Sequence, residues 1–300
     1  MSGASSSSRV ATDSVDSVYA LQEALDRRLA EHLDRAGEYQ RQFQSSQPFP
    51  HVVIDDFLPE SIAQRLVDTF PGTDAPIWTQ QPTEDQRNKL ATTDEGRIPA
   101  LQRYVLFSLN SGAFLRWLER VTGIDALIAD TKLVGGGLHQ IKPGGKLAVH
   151  IDYSHHPQNL LFRRLNLLLY LNPGWDEAYG GSLELWDSAV SQCRQAILPQ
   201  FNRVAIFATS EISYHGHPEP LRVPEHVTRK SLSLYYFTKD PPAGREHVQH
   251  NTLFKSRPGD RFNLGNFVVR SASSGLFRDL MPPLAYRAIR RLWNRRFTGK

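Results

Sequence analysis

Lys146-Leu147-Ala148-Val149-His150-Ile151-Asp152-Tyr153 is the stretch on which the reading of this chain turns. Its run of apolar and β-branched residues reads as a strand. On a strand, residues i and i+2 project to one face. The imidazole of His150 and the carboxylate of Asp152 therefore converge, while Ile151 turns the other way into apolar packing. A His-x-Asp pair carries weight only in such a setting. With 11 histidines and 18 aspartates in 300 residues, chance alone supplies about 0.7 of them. The chain has a second, His32-Leu33-Asp34, inside a helical pattern. Two positions apart on a helix is about 200° around its axis, so that pair cannot grip one ion. It reads as a solvated helix face.

A third ligand is available downstream, in Ser213-Tyr214-His215-Gly216-His217-Pro218. Two imidazoles and one carboxylate on one side of an ion, with open positions opposite, is a donor set that suits non-haem Fe(II). Beyond it, Thr228-Arg229-Lys230-Ser231-Leu232-Ser233-Leu234-Tyr235-Tyr236 alternates as another strand, with Arg229 at its start. An arginine there can hold a carboxylate bidentately.

The surrounding segment has the same texture. Short β-branched or aromatic runs at 137–141, 147–153, 164–171, 181–186, 203–208 and 230–237 are separated by Gly, Pro, Asn and Asp, which suggests a β-sandwich or barrel. Upstream, Val18, Leu21, Leu25, Leu29 and Leu33 recur at helical spacing; His51-Val52-Val53-Ile54 reads as a strand; Pro59-Glu60 opens a helix closed by Pro71-Gly72. Leu101 to Leu118 reads as one helix, and 73–98 as a long loop whose Lys89–Thr93 segment and Trp78 could form a lid. Gly135-Gly136-Gly137 lacks phosphate-loop spacing and marks a bend or close backbone approach. The divisions expected are a flexible tail over 1–17, a supporting helical and strand region over 18–131, a β-rich core over 132–240 and a C-terminal extension over 241–300.

Composition narrows the function. There is one cysteine, Cys193, which excludes an intramolecular disulfide framework and a cysteine-built zinc or iron–sulfur site. No apolar run approaches the length of a membrane span, and residues 1–17 lack the apolar centre of a secretory signal, so a cytoplasmic protein is expected. The net charge is 35 − 31 = +4, and residues 278–300 hold seven bases and one acid, so the remainder is −2. That argues against a nucleic-acid binder. In the basic stretch, Ala285, Ile289, Leu292 and Trp293 share a helical stripe among arginines, the pattern of an amphipathic helix that meets an anionic membrane or a protein partner, or packs on its own domain.

These residues also carry a resemblance. Gly135-Gly136-Gly137, Pro143-Gly144-Gly145, His150-Ile151-Asp152, Arg164-Leu165-Asn166-Leu167-Leu168-Leu169-Tyr170-Leu171-Asn172, Trp175 followed by Gly180-Gly181-Ser182-Leu183-Glu184-Leu185, Asn202-Arg203-Val204-Ala205-Ile206-Phe207, His215-Gly216 and Arg229 to Leu234 are colinear over residues 133–238. Together they resemble the Fe(II)- and 2-oxoglutarate-dependent dioxygenases, and within them the prolyl-4-hydroxylase-like branch. The segment Phe49 to Phe57 resembles that branch's N-terminal lead-in.

The resemblance implies an α+β fold with a double-stranded β-helix (jelly-roll) core, N-terminal supporting helices and a C-terminal helical extension. It implies that His150, Asp152 and His215 hold Fe(II), with His215 matching the family pattern better than its neighbour His217. Arg229 would bind the distal carboxylate of 2-oxoglutarate, Tyr170 would place its hydroxyl on the same group, and Leu168 and Leu183 would line the cosubstrate pocket. Gln140 stands where many relatives have a tyrosine and would donate a hydrogen bond. The implied chemistry is hydroxylation of an unactivated C–H bond with O2, releasing succinate and CO2, with ascorbate as an auxiliary reductant. The presence of Asp152 favours hydroxylation, with desaturation and ring closure left open. The substrate would be a small molecule or a peptidyl, prolyl side chain. The competing reading is a non-catalytic jelly-roll metal-binding module, against which Arg229 and Tyr170 argue.

Overall fold

The computed structural model describes residues 6–79, 83, 85–242 and 249–260, with side chains from Ser17 onward. The chain opens with helix α1 (Ser6–Asp34), so helix covers most of the stretch expected to be a tail. Helix α2 (Ala36–Ser45) and strand β1 (His51–Ile54) follow, then helix α3 (Glu60–Asp68). Strand β2 (Lys89–Thr92) comes next, where a loop was expected. The helix expected over Leu101–Leu118 is two, α4 (Ala100–Ser108) and α5 (Gly112–Thr122). The break falls at Ser111, whose extended backbone lets its side chain accept from the Phe114 amide and cap α5. Left-handed Gly123 ends α5.

The remaining strands are β3 (Ile128–Ala129), β4 (Gly137–Ile141), β5 (Leu147–Ile151), β6 (Phe162–Tyr170), β7 (Leu183–Trp186), β8 (Cys193–Ile197), β9 (Arg203–Ala208), β10 (His215–His217), β11 (Arg229–Thr238) and β12 (Leu253–Phe254). Among the described residues they form two antiparallel sheets. The larger has the order β1-β9-β6-β11-β4-β2, with β3 also on β11; the smaller has the order β12-β5-β10-β7-β8.

The pleat of β6 explains how the layers stack. Leu165, Leu167 and Leu169 point to one face, where with Val204, Ile206, Leu138, Leu232 and Leu234 they bury against Tyr39, Phe43, Phe114 and Trp117 of the helices. Tyr170, on the other face, packs with Ala205 and Phe207 against Leu183, Leu185 and Ile197 of the smaller sheet. One face of the larger sheet thus carries a helical layer and the other closes a β-sandwich. This is a mixed α+β architecture with a jelly-roll core. Residues up to Arg257 form one compact unit. The expected C-terminal helical extension and its basic stripe lie on residues 261–300, outside the described residues. Among the described residues no helix is long and apolar enough to cross a membrane.

One histidine differs from expectation. His32 is buried rather than solvated: its Nε2 is 2.8 Å from the Phe57 carbonyl oxygen, and its ring stacks on Phe57. Helix α1 lies on the core, so that face meets α5 instead of water. His156 is buried 3.5 Å from Asp130.

Candidate metal centre and anion pocket

The two histidines that matter lie on adjacent strands. β5 and β10 pair antiparallel with His150 directly opposite His215, and the ring centroids are 4.4 Å apart. In each ring Nδ1 faces a carbonyl oxygen of its own strand, Ala148 at 2.8 Å for His150 and Ser213 at 2.9 Å for His215. A carbonyl only accepts, so Nδ1 carries the proton and Nε2 presents its lone pair. Both Nε2 atoms turn to Asp152, at 3.5 Å for His150 and 3.4 Å for His215. One ligand atom from each of the three residues lies within 4.8 Å of the other two.

Asp152 is itself held. Asn166 Nδ2 donates to its Oδ2 at 2.7 Å, and Arg163 Nη2 lies 3.1 Å from the same oxygen. Arg163 reaches the cavity because the β6–β11 register shifts between Tyr236 and Phe237, which brings Arg163 to the face of Asn166. Its guanidinium sits over Tyr235 at 3.5 Å and Tyr153 at 4.4 Å. Burial of Asp152 works against its ionisation, but Arg163, His215 and the hydrogen bonds together outweigh it and hold the carboxyl well below the usual range. Burial, with His215 nearby, lowers His150. Two neutral imidazole nitrogens and an ionised carboxylate oxygen, each with its other atoms engaged, suit a divalent transition metal such as Fe(II).

The triad lines a cavity of about 170 Å³ that also touches Lys89, His139, Ile141, Leu168, Leu183, His217 and Arg229. Its far wall is one row of the larger sheet. Lys89 pairs with Ile141 and Ile141 with Arg229, so the two cations stand on either side of Ile141. Arg229 is fixed by a 2.7 Å bond from its Nε to the Gly181 carbonyl, and its Nη2 donates to the Tyr170 hydroxyl at 3.4 Å. Gly181, at φ +73°, must be glycine: a Cβ there would meet Leu221 at 2.5 Å and Arg229 at 3.2 Å. Burial lowers Arg229 and raises Tyr170. Among the described lining residues the charges are Lys89, Arg163 and Arg229 against Asp152 alone, an excess of positive charge.

The structure brings His150, Asp152, His215, Arg229, Leu168 and Leu183 to this cavity, with the Tyr170 hydroxyl behind Arg229. Gln140 is a correction. On β4 the residues facing the cavity are His139 and Ile141, and Gln140 shares the opposite face with core residue Leu138. Its amide donates to Thr228 at 2.8 Å. His139 lines the cavity with both nitrogens engaged, by the Gly135 carbonyl and the Ser233 hydroxyl. The expected lid is also corrected: Lys89–Thr92 is a strand of the sheet, and Trp78 stacks on Phe70. Sequence reasoning missed the role of Lys89, and of Arg163 and Asn166 around Asp152. Their parity on β6 with Tyr170 was the available signal for Asn166; the register shift hid Arg163.

Residues 136–237 match the family model of the 2OG-Fe(II) oxygenase superfamily, and every residue of the triad and Arg229 falls inside that match. The matched segment is thus similar to this superfamily. Several of the chain's similarities are to prolyl hydroxylases. It is 28% identical over 227 residues to the prolyl 3-hydroxylase OGFOD1 of Xenopus laevis, covering 71% of this chain and 40% of that protein. It is 27% identical over 200 residues to the Mus musculus OGFOD1, covering 63% and 33%. The chain thus spans less than half the length of these curated relatives. The fold matches a prolyl hydroxylase of Trichoplax adhaerens, solved with a hypoxia-inducible-factor peptide fragment, at a TM-score of 0.50 and 18% identity, over 70% of this chain and 91% of that one. For a 2OG-Fe(II) oxygenase the family name carries Fe(II) and 2-oxoglutarate, the ion and the dicarboxylate that this donor triad and this cationic wall suit.

Proposed function

We propose that this chain is a 2OG-Fe(II) oxygenase that hydroxylates an unactivated C–H bond, on a prolyl side chain of a peptide, with ascorbate as an auxiliary reductant. The observation that carries the reading is the pairing, in one cavity, of a His-Asp-His triad with a buried Arg229 that has no carboxylate partner among the described residues. His150, Asp152 and His215 would hold Fe(II). Bound Fe(II) supplies the redox chemistry by which substrate R–H, O2 and 2-oxoglutarate become R–OH, succinate and CO2.

The chain's own residues do the rest. The Ala148 and Ser213 carbonyls fix the imidazole tautomers. Arg163 and Asn166 keep Asp152 ionised and oriented. Arg229 meets the distal carboxylate of the keto acid, and Leu168 and Leu183 keep water from its methylenes.

A second cavity, about 540 Å³, reaches Asp152, Tyr153 and Arg163 from the side of Phe49, Phe162 and Ile212. That volume accommodates a drug-sized ligand or several residues of a peptide, which with the OGFOD1 similarity favours a peptide over a free amino acid.

The test is turnover of 2-oxoglutarate by the purified protein with Fe(II), alone and with proline-containing peptides. We expect succinate, a gain of one oxygen atom on the peptide, and loss of both in His150→Ala and Arg229→Met. Metal binding without any decarboxylation, coupled or uncoupled, would overturn the reading in favour of a metal-binding module. Turnover only with a small molecule would move the substrate to that class.

A further inference from the structure

Two buried polar residues of the cavity have no role in the reading above. His217 lies two residues past His215 on β10 and is 4% exposed, and neither ring nitrogen has a hydrogen-bond partner among the described residues. A buried imidazole is seldom left so, because each unmet polar atom costs free energy. Lys89 is 9% exposed, and its ammonium has only the Gln86 side-chain oxygen, at 3.5 Å, among the described residues. A buried ammonium normally faces a carboxylate. Here it faces Arg229 from the other side of Ile141.

These two side chains share one place. Strand neighbours lie about 4.8 Å apart, so the Lys89 and Arg229 backbones are roughly 10 Å apart in a single row. Both long side chains line the cavity that the His217 ring enters from the smaller sheet. Two cations and an imidazole with a free N–H meet the needs of a carboxylate: two charge-assisted bonds from either side and one neutral bond across. Phosphate could use the same donors, but this row and the triad line one cavity, as a ligand with a carboxylate at one end and metal-binding oxygens at the other requires.

We propose that Lys89 and His217 join Arg229 in seating the distal carboxylate of the dicarboxylate cosubstrate, Lys89 as a second cation and His217 as a hydrogen-bond donor. This rests on the 2-oxoglutarate reading. In this chain the end of the cosubstrate is then bridged between β2 and β11 rather than held by one arginine. The product succinate, which keeps that carboxylate, shares the seat.

Binding of 2-oxoglutarate and of succinate is measured by calorimetry on the full chain, metal-free and loaded with Zn(II) so that nothing turns over, with inorganic phosphate as a control anion. Lys89→Met should weaken both dicarboxylates about tenfold or more, and Lys89→Arg should retain them within about threefold. His217→Phe should weaken them by about threefold to tenfold. Thermal melting separates a ligand role from a structural one. Without ligand, Lys89→Met should melt higher than the wild type, since an unpaired buried charge is gone, yet gain less on adding succinate. Wild-type affinity in Lys89→Met, or a lower melting point with affinity intact, would overturn the proposal. So would phosphate competing as well as succinate. If the wild type bound no dicarboxylate in either metal state, the underlying 2-oxoglutarate reading would fall instead.

Discussion

Arg163 and Asp152 form a buried ion pair, Nη2 to Oδ2 at 3.1 Å, in which the arginine is gripped by Tyr153 and Tyr235 and the aspartate is a member of the metal triad. The guanidinium sets both the charge of Asp152 and its direction. Arg163→Met should leave a buried carboxylate with only Asn166 and the imidazoles. We expect metal affinity to fall about tenfold to a hundredfold, and stability by about 3 kcal/mol. Titration with Mn(II) or Zn(II), alongside urea unfolding, checks both; unchanged metal affinity would show that Asn166 alone orients Asp152.

Arg229 is oriented through its Nε, which lysine lacks, by the Gly181 carbonyl at 2.7 Å. Arg229→Lys keeps the charge and loses that bond and the fork that a carboxylate fits. The KM for 2-oxoglutarate should rise about tenfold or more while kcat changes less, because the loss is in holding the cosubstrate. Steady-state kinetics against 2-oxoglutarate decides it; a fall in kcat with KM unchanged would place Arg229 elsewhere in the reaction.

Lys89 makes stability depend on pH. Burial, reinforced by Arg229 and Arg163 and opposed by Asp152, brings its ammonium down to about 8 from an ordinary 10.5. The cavity also sets His139 and His217 against it from β4 and β10. The folded state therefore binds that proton less well than the unfolded chain. Its cost, on the order of 3 kcal/mol, is fully present below pH 8 and fades as pH rises from 8 to about 10.5. Lys89→Met should be the more stable protein at pH 7, and its advantage should shrink by pH 10. Urea midpoints at the two pH values test this, and an advantage that does not vary with pH would refute the assignment to Lys89.

Gly137 joins β2 to β4 by an approach that no side chain permits. Its φ is +83°, and a Cβ would lie 2.2 Å from the Thr92 carbonyl oxygen. Gly137→Ala should destabilise the fold by about 2 kcal/mol or more and pull β2, with Lys89, off the sheet. Unfolding midpoints and amide exchange at Lys89–Thr92 would show it; wild-type protection there would contradict the close approach.

How much of this was legible in the sequence follows from pleat and burial. His150 and Asp152 could be read because a strand repeats every two residues, and the strands at 147–151, 162–170 and 229–238 lie where the apolar runs placed them. Arg229, Leu168 and Leu183 followed from resemblance and fell into the cavity. Gln140 did not, because a spacing borrowed from relatives fixed its number but not the parity of β4, which turns it to Thr228. Lys89 was hidden because β2 is four residues long and sits in a polar stretch with no period to detect. His32 looked exposed because local pattern does not show which helix another element will cover.

β10 is three residues long, and its first rung sets His215 against His150 on one side and Leu185 on the other. An ion shared by the two imidazoles is therefore a rivet between neighbouring strands. Loading and stripping it should register in the mechanics of the smaller sheet, with the amides of 147–151 and 215–217 exchanging faster once a chelator has drawn it out.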